Sequence, residues 1–412
     1  MNPRVYAIAT LDSKGRELAF LGQALREAGV EPVLVDVSLK GSPQIIPDVG
    51  SEEVAERHPS GRAAVLGRRE REAGMRAMGE ALSAYLASEW AAGRLHAAIG
   101  LGGSEGTSLI APALRALPRG VPKVMVSTLA GGDTRAYVGT SDMTMMFPVS
   151  DIAGLNFLSR QVLRNAAHAA AGMARVGAAA VPAAPAVGLT MFGVTTACVD
   201  MVRAGLEAQG WEGVAFHAVG TGGAAMEEMA AAGCFRALMD LTTTEVADSL
   251  LGGIFPASEG RFDAIALYNV PAVVSVGALD MANFGPRETV PARLRHRKLY
   301  QHTPLVTLMR TNAEENQAFG RRIAARLNMG AGPCVLLLPT GGISALDAPG
   351  QPFHDPEADE ALFGALERDL KPTALRSVRR VPFHINDPGF ARAALAALRE
   401  ILGPDGPGKD TP

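Results

Sequence analysis

Residues 95–108, reading LHAAIGLGGSEGTS, constrain the fold of this chain more than any other stretch. A short apolar run, Ala97-Ala98-Ile99, ends in Gly100-Leu101-Gly102-Gly103-Ser104-Glu105-Gly106-Thr107. Apolar residues then return at helical spacing at Leu109, Ile110, Leu114 and Leu117. The order is strand, glycine-rich turn, helix. Glycines let a ligand approach the backbone closely, and the free N–H groups of a helix start favour negative charge, so the turn has the makings of a phosphate cradle. It lacks the lysine of a P-loop and the usual setting of a dinucleotide fingerprint.

The same order recurs along the chain. Val5–Ala9 reads as a buried strand followed by a loop, Thr10-Leu11-Asp12-Ser13-Lys14-Gly15, and Pro32–Val37 as a second strand whose Asp36 either contacts a ribose or, the preferred reading, caps the next loop. Residues 41–62 read as an excursion before a long helix near Glu70 to Trp90. Residues 121–127 form a strand closed by a second glycine-rich loop, Thr128-Leu129-Ala130-Gly131-Gly132-Asp133-Thr134, and residues 143–149 another strand. Beyond the linker GAAAVPAAP at 177–185, strands again end in small polar residues: VGLTMFG, AFHAVGTGG, ALMDLTTTE, AVVSVGALDM, LVTLMRT and VLLLPTGG. Strands alternating with helices imply an α/β protein of two Rossmann-like lobes, each with a mostly parallel sheet flanked by helices. The predicted domains are 1–178, a nucleotide-binding lobe, and 186–403, a second lobe, with 404–412 disordered in composition.

Composition excludes several functions. With 39 basic against 42 acidic side chains and a net charge of -3, nothing marks a nucleic-acid or anionic-membrane surface. Prolines and glycines interrupt the longest uncharged run, 176–199, which argues against a spanning helix. The three cysteines lie far apart in apolar segments and read as reduced thiols. The start, MNPRVYAIAT, enters a strand pattern directly, so the expected location is the cytoplasm.

The candidate ligand is a nucleotide or a small phosphorylated metabolite. Gly102, Gly103, Ser104, Gly106 and Thr107 would hold phosphates, Lys14 would neutralise them, and Asp12 or Asp133 would position magnesium. Gly131, Gly132 and Thr134 join them from the second loop. Gly222 and Gly223, in Gly220-Thr221-Gly222-Gly223, form a further phosphate-loop candidate. Candidate catalytic residues are Asp133 and His217, the latter in a strand approaching that loop. Two other readings stay open: an enzyme acting on a small carbonyl or phosphorylated metabolite in a cleft between lobes, and a non-catalytic binding module.

Over residues 3 to 403 the chain resembles an uncharacterised bacterial family that shares its fold with the N-terminal, ATP-binding region of a plant tobamovirus-resistance protein. The resemblance is carried by TLDSKGRE at 10–17, GLGGSEGTS at 100–108, STLAGGDTRAYVGTSDMTMM at 127–146, DIAGLN at 151–156, GLTMFGVTT at 188–196, FHAVGTGGAAME at 216–227, DLTTTEVAD at 240–248, VSVGALDMANFG at 274–285 and VTLMRT at 306–311. It implies two α/β lobes, ATP binding in the first, and a homodimer. Glu105 stands where that family has a small residue.

Overall fold

The computed structural model describes residues 2–68, 70–177 and 185–403. The linker residues 178–184, Arg69 and the tail 404–412 lie outside them. The chain divides into two compact units, residues 1–181 and 182–412.

The first unit runs β1 (Arg4–Ala9), α1 (Leu11–Glu27), β2 (Glu31–Asp36), α2 (Ser51–Ala55), α3 (Ala63–Leu66), α4 (Arg71–Ala91), β3 (Ala97–Gly102), α5 (Ser104–Ala116), β4 (Lys123–Ser127), α6 (Arg135–Val138), β5 (Thr144–Met146) and α7 (Phe157–Val176). Its sheet has the order β2-β1-β3-β4-β5, and every pairing is parallel. Both sheet faces are covered, so β1 is apolar without alternation. Tyr6 and Ile8 pack with Met78, Leu82 and Ile110 on one face, and Val5 and Ala7 with Leu18, Leu21 and Leu163 on the other. Residues 10–15, expected as a loop, instead open α1. The turn is helical from Leu11, with a non-helical Lys14 (φ −121°) marking a kink. Asn156 caps α7 in a capping box with Ser159.

The second unit runs β6 (Ala186–Met191), α8 (Thr196–Glu207), β7 (Glu212–His217), α9 (Thr221–Ala231), β8 (Ala237–Thr242), α10 (Glu245–Leu251), α11 (Asp263–Ala266), β9 (Ala272–Gly277), β10 (Met281–Phe284), β11 (Leu299–Thr303), β12 (Val306–Arg310), α12 (Ala313–Leu327), β13 (Cys334–Pro339), α13 (Pro356–Asp369), β14 (Arg376–Val381) and α14 (Pro388–Leu402). The parallel sheet β14-β13-β9-β8-β6-β7 winds as the first does, with its earliest strand flanked by the second and third. The run LVTLMRT corrects the sequence reading. Its strand β12 pairs antiparallel with β10 and β11 in a separate three-stranded sheet that the chain forms after β9 and before β13. No helix among the described residues is long and apolar enough to cross a membrane.

Candidate functional site

In the first sheet β1 and β3 lie side by side, and the chain winds away from them in opposite directions. Ligands of doubly wound folds bind beyond the strand carboxyl ends at such a reversal. Asp36, at the end of β2, builds one side of it. Its Oδ1 accepts from the Leu11 N–H (3.0 Å) and from the Ser38 N–H and hydroxyl (2.9 and 2.6 Å), clamping the start of α1 against β2. Asp36 is therefore a cap, as its position in the sequence suggests. Asp12 and Lys14 sit on the turn so fixed. Among the described residues, neither the Asp12 carboxylate nor the Lys14 ammonium has a hydrogen-bond or ion-pair partner.

The loop from β3 to α5 forms the other side. A Cβ on Gly102 would lie 2.8 Å from the Gly106 Cα, so this glycine lets the helix start fold back over its own strand. Gly103 differs: its φ is −77°, and a Cβ there meets nothing closer than the Thr128 Oγ1 at 3.9 Å. No side chain caps α5. Ser104 and Glu105 are exposed and Gly106 is buried. Thr107 is buried, and its hydroxyl is 2.6 Å from that of Ser127, so it ties α5 to β4. Glu105 does not turn into the loop. It meets Arg71, at the start of α4, at 2.5 Å in an exposed ion pair.

The second glycine-rich loop follows β4. Gly131 and Gly132 are exposed, with the Phe147 ring beside Gly131, and Thr134 leads into α6. Asp133 receives hydrogen bonds from the Arg135 backbone (3.1 Å) and guanidinium (2.6–3.1 Å). These bonds hold its carboxyl at about 2. At neutral pH it is an acceptor with no proton to give.

Beside the β3 loop lies a cavity of about 160 Å³. Leu39, Val65, Leu66 and Met75 supply apolar walls, while Asp12, Lys40, Arg68, Glu70, Arg71 and Glu105 bring charge of both signs. Sequence reading assigned residues 41–62 to an excursion and placed a long helix near Glu70 to Trp90, without a cavity between them. The available sign was Leu66 and Met75 flanking the Arg68–Glu72 charge run, an apolar rim on a basic helix start.

In the second unit the glycine-rich loop at 220–223 follows β7, an edge strand, and two of its donors are taken. Glu245 Oε1 accepts from the N–H groups of Gly220 (2.6 Å) and Gly223 (3.2 Å). A Cβ on Gly223 would collide with that carboxylate, and one on Gly222 with the His217 carbonyl. The glycines thus admit an internal anion. Glu245 lies 22 positions beyond Gly223, and the sequence near the loop gives no sign of it. Arg261 holds it at 2.8 Å and also binds Asp240 (2.5 Å) and Glu227 (3.1 Å), all four groups being buried. Burial pushes Glu227 and Glu245 up, and Arg261 offsets this only in part. Burial works against the Arg261 charge, but the carboxylates of Asp240 and Glu245 outweigh it and hold the guanidinium well above its usual range. His217 is exposed and stacked on Phe192 at 5.3 Å, and its Nδ1 lies 3.2 Å from the Met191 carbonyl. A carbonyl only accepts, so Nδ1 is the donor in this contact. His217 and Asp133 lie in different units.

A second buried acidic group surrounds Arg310. Its NH2 binds Asp359 at 2.9 Å and lies 3.9 Å from Asp347, which His354 approaches at 3.8 Å. Asp280 accepts from the Ser344 hydroxyl at 2.7 Å, while its Oδ1 has no partner. Burial raises Asp280 to about 7 against the pull of Arg310. Burial and the Asp347 carboxylate raise Asp359 to about 8. Folded-state values above the unfolded one give stability that is complete below about pH 4 and lost as pH rises through 7–8. Asp280→Asn, a permanently neutral side chain, is expected to raise the melting temperature at pH 8, leave it nearly unchanged at pH 4, and so flatten the decline. Parallel declines in both proteins would place the titration elsewhere.

Models of the uncharacterised protein family (UPF0261) match the chain twice: its N-terminal domain over residues 3–179 and its C-terminal domain over 184–402. A UPF0261 protein of Rhizobium meliloti is 50% identical over 97% of this chain and 100% of its own length. The ToMV resistance protein Tm-1 of Solanum lycopersicum is 41% identical over 97% of this chain, which spans 56% of that longer protein. Among solved structures, a putative UDP-N-acetylglucosamine 2-epimerase from Listeria monocytogenes covers 100% of both chains at 12% identity, with a TM-score of 0.25.

Proposed function

This chain belongs to the UPF0261 family, and on that premise we propose that it is a nucleotide-binding protein whose first lobe holds the phosphates of ATP at the start of α5. One observation carries the reading. At the β1/β3 reversal the 13-residue helix α5 starts with no capping side chain, and the one carboxylate of its first turn, Glu105, is drawn off to Arg71. In the second unit Glu245 instead turns into the comparable helix start and takes the Gly220 and Gly223 N–H groups. A phosphate group at the first site would meet free N–H donors and the positive end of the helix dipole.

Lys14, without an anionic partner, supplies a counter-charge from the neighbouring turn, and Gly103 leaves the space open. Asp12 fits a magnesium ion better than Asp133, because its carboxylate has no partner while that of Asp133 is held by Arg135. A bound magnesium ion would screen the phosphate charge. Calorimetric titration with ATP, with and without magnesium, tests the reading, and absence of binding under both conditions would remove it.

Glu105 gives a graded check. Its carboxylate opposes an anion at the same helix start, where one charge is worth about 0.3–1 kcal/mol. Glu105→Gln is therefore expected to tighten magnesium-free ATP by about two- to fivefold. Weaker binding would mean that Glu105 acts on the metal side instead.

A further inference from the structure

The cavity beside the β3–α5 loop has a different chemistry from the loop. Its volume, about 160 Å³, is below the ~300–1,000 Å³ typical of sites that enclose a whole drug-sized ligand, so it holds one ring system. Leu39 from the segment after β2, Val65 and Leu66 from α3, and Met75 from α4 give it apolar walls. Thioether sulfur packs well against aromatic rings. Lys40, on its rim, has no partner among the described residues and is available to a polar ring edge. Glu105, from the first turn of α5, and Asp12, from the turn that opens α1, both line the cavity, so it adjoins the proposed phosphate site.

We infer that this cavity is a nucleoside slot, taking the heterocyclic base of the nucleotide whose phosphates lie at α5, and this rests on the phosphate reading above. The slot makes the base a source of affinity separate from the phosphates.

Gly74 allows the two contributions to be measured apart. It lies inside α4 on the cavity wall, where a Cβ would sit 3.3 Å from the Leu39 Cδ1, the movable end of a side chain. Leucine there fills the slot and improves helix propensity, so the fold is retained. Wild type, Gly74→Leu and Gly103→Val would each be titrated with ATP, inorganic tripolyphosphate and adenosine, with melting curves as the folding control. Leu66→Trp, entering from α3, is the second slot-filling variant should Gly74→Leu melt early.

Wild type is expected to bind ATP at least about tenfold more tightly than tripolyphosphate, the scale of burying one ring face. Gly74→Leu should lower ATP to the tripolyphosphate level and leave tripolyphosphate unchanged, while Gly103→Val loses both. Equal wild-type affinities for ATP and tripolyphosphate, or full ATP affinity in both slot-filling variants, would overturn the slot and leave the phosphate reading standing. Adenosine binding with neither polyphosphate bound would overturn the phosphate reading alone, and no binding of any of the three would overturn both.

Discussion

Arg261→Met is expected to destabilise the second unit by about 3–5 kcal/mol, the cost of leaving buried charge without its partner. Three carboxylates, Glu227, Asp240 and Glu245, converge on this one guanidinium, and none is exposed to water that could replace it. Their other bonds do not compensate. Glu227 is held by the N–H groups of Phe262 and Ala264, Asp240 by the Thr190 hydroxyl, and Glu245 by Gly220 and Gly223, but these are neutral donors. Methionine fills the volume, so the loss isolates the charge from the cavity.

The pH dependence follows from the same groups. Glu227 and Glu245 are already raised in the folded protein, and removal of Arg261 raises them further. Protonation then relieves the repulsion, so the destabilisation should be larger at pH 8 than at pH 5. Urea unfolding of both proteins at the two pH values measures it. A variant as stable as wild type at pH 8 would show that the network contributes little, as some buried ion networks do.

Gly103→Val is expected to weaken ATP binding by more than about a hundredfold while leaving the circular dichroism spectrum and the melting temperature nearly unchanged. The backbone there accepts any residue, since φ is −77°, and the nearest atom to a Cβ is 3.9 Å away. Loss of the glycine N-cap costs about 1 kcal/mol at most. The branched side chain would nevertheless stand in the space that phosphate oxygens need above the first turn of α5. Unchanged affinity in a folded variant would move the phosphates elsewhere. The neighbouring Gly102 cannot serve as the test, because its Cβ would strike Gly106 and disturb the fold itself.

The sequence by itself determined the class of fold. Strands buried on both faces need continuous apolar runs, and Val5–Ala9, Ala97–Leu101 and Cys334–Pro339 carry them, with helical spacing between. It also showed where the polar loops fall, because a strand that leaves the core must end in residues that tolerate water and tight turns. Pairing is a different matter. Val306–Arg310 has the composition of a core strand, and only its partners, β10 and β11, make it antiparallel and separate. Strand β14 carries Arg376, Arg379 and Arg380 and shows no apolar run; as an edge strand it meets Glu400 with Arg379 and Glu360 and Glu367 with Arg380, while the buried Arg376 donates to backbone carbonyls.

The two glycine-rich loops show most clearly what tertiary structure decided. Read locally, GLGGSEGTS and GTGG offer the same invitation to an anion, since glycine and a following helix start are all that either string reveals. Whether the invitation is already answered depends on a residue far away in the chain or on a side chain's direction. Glu245, 22 positions beyond Gly223, turns into its loop because Arg261 waits behind it. Glu105, inside its own loop, turns away because Arg71 draws it from 34 positions earlier. Short-range sequence specifies donors, but the electrostatic partner that fills or frees them is chosen by packing between distant segments, and that is set only when the chain has folded.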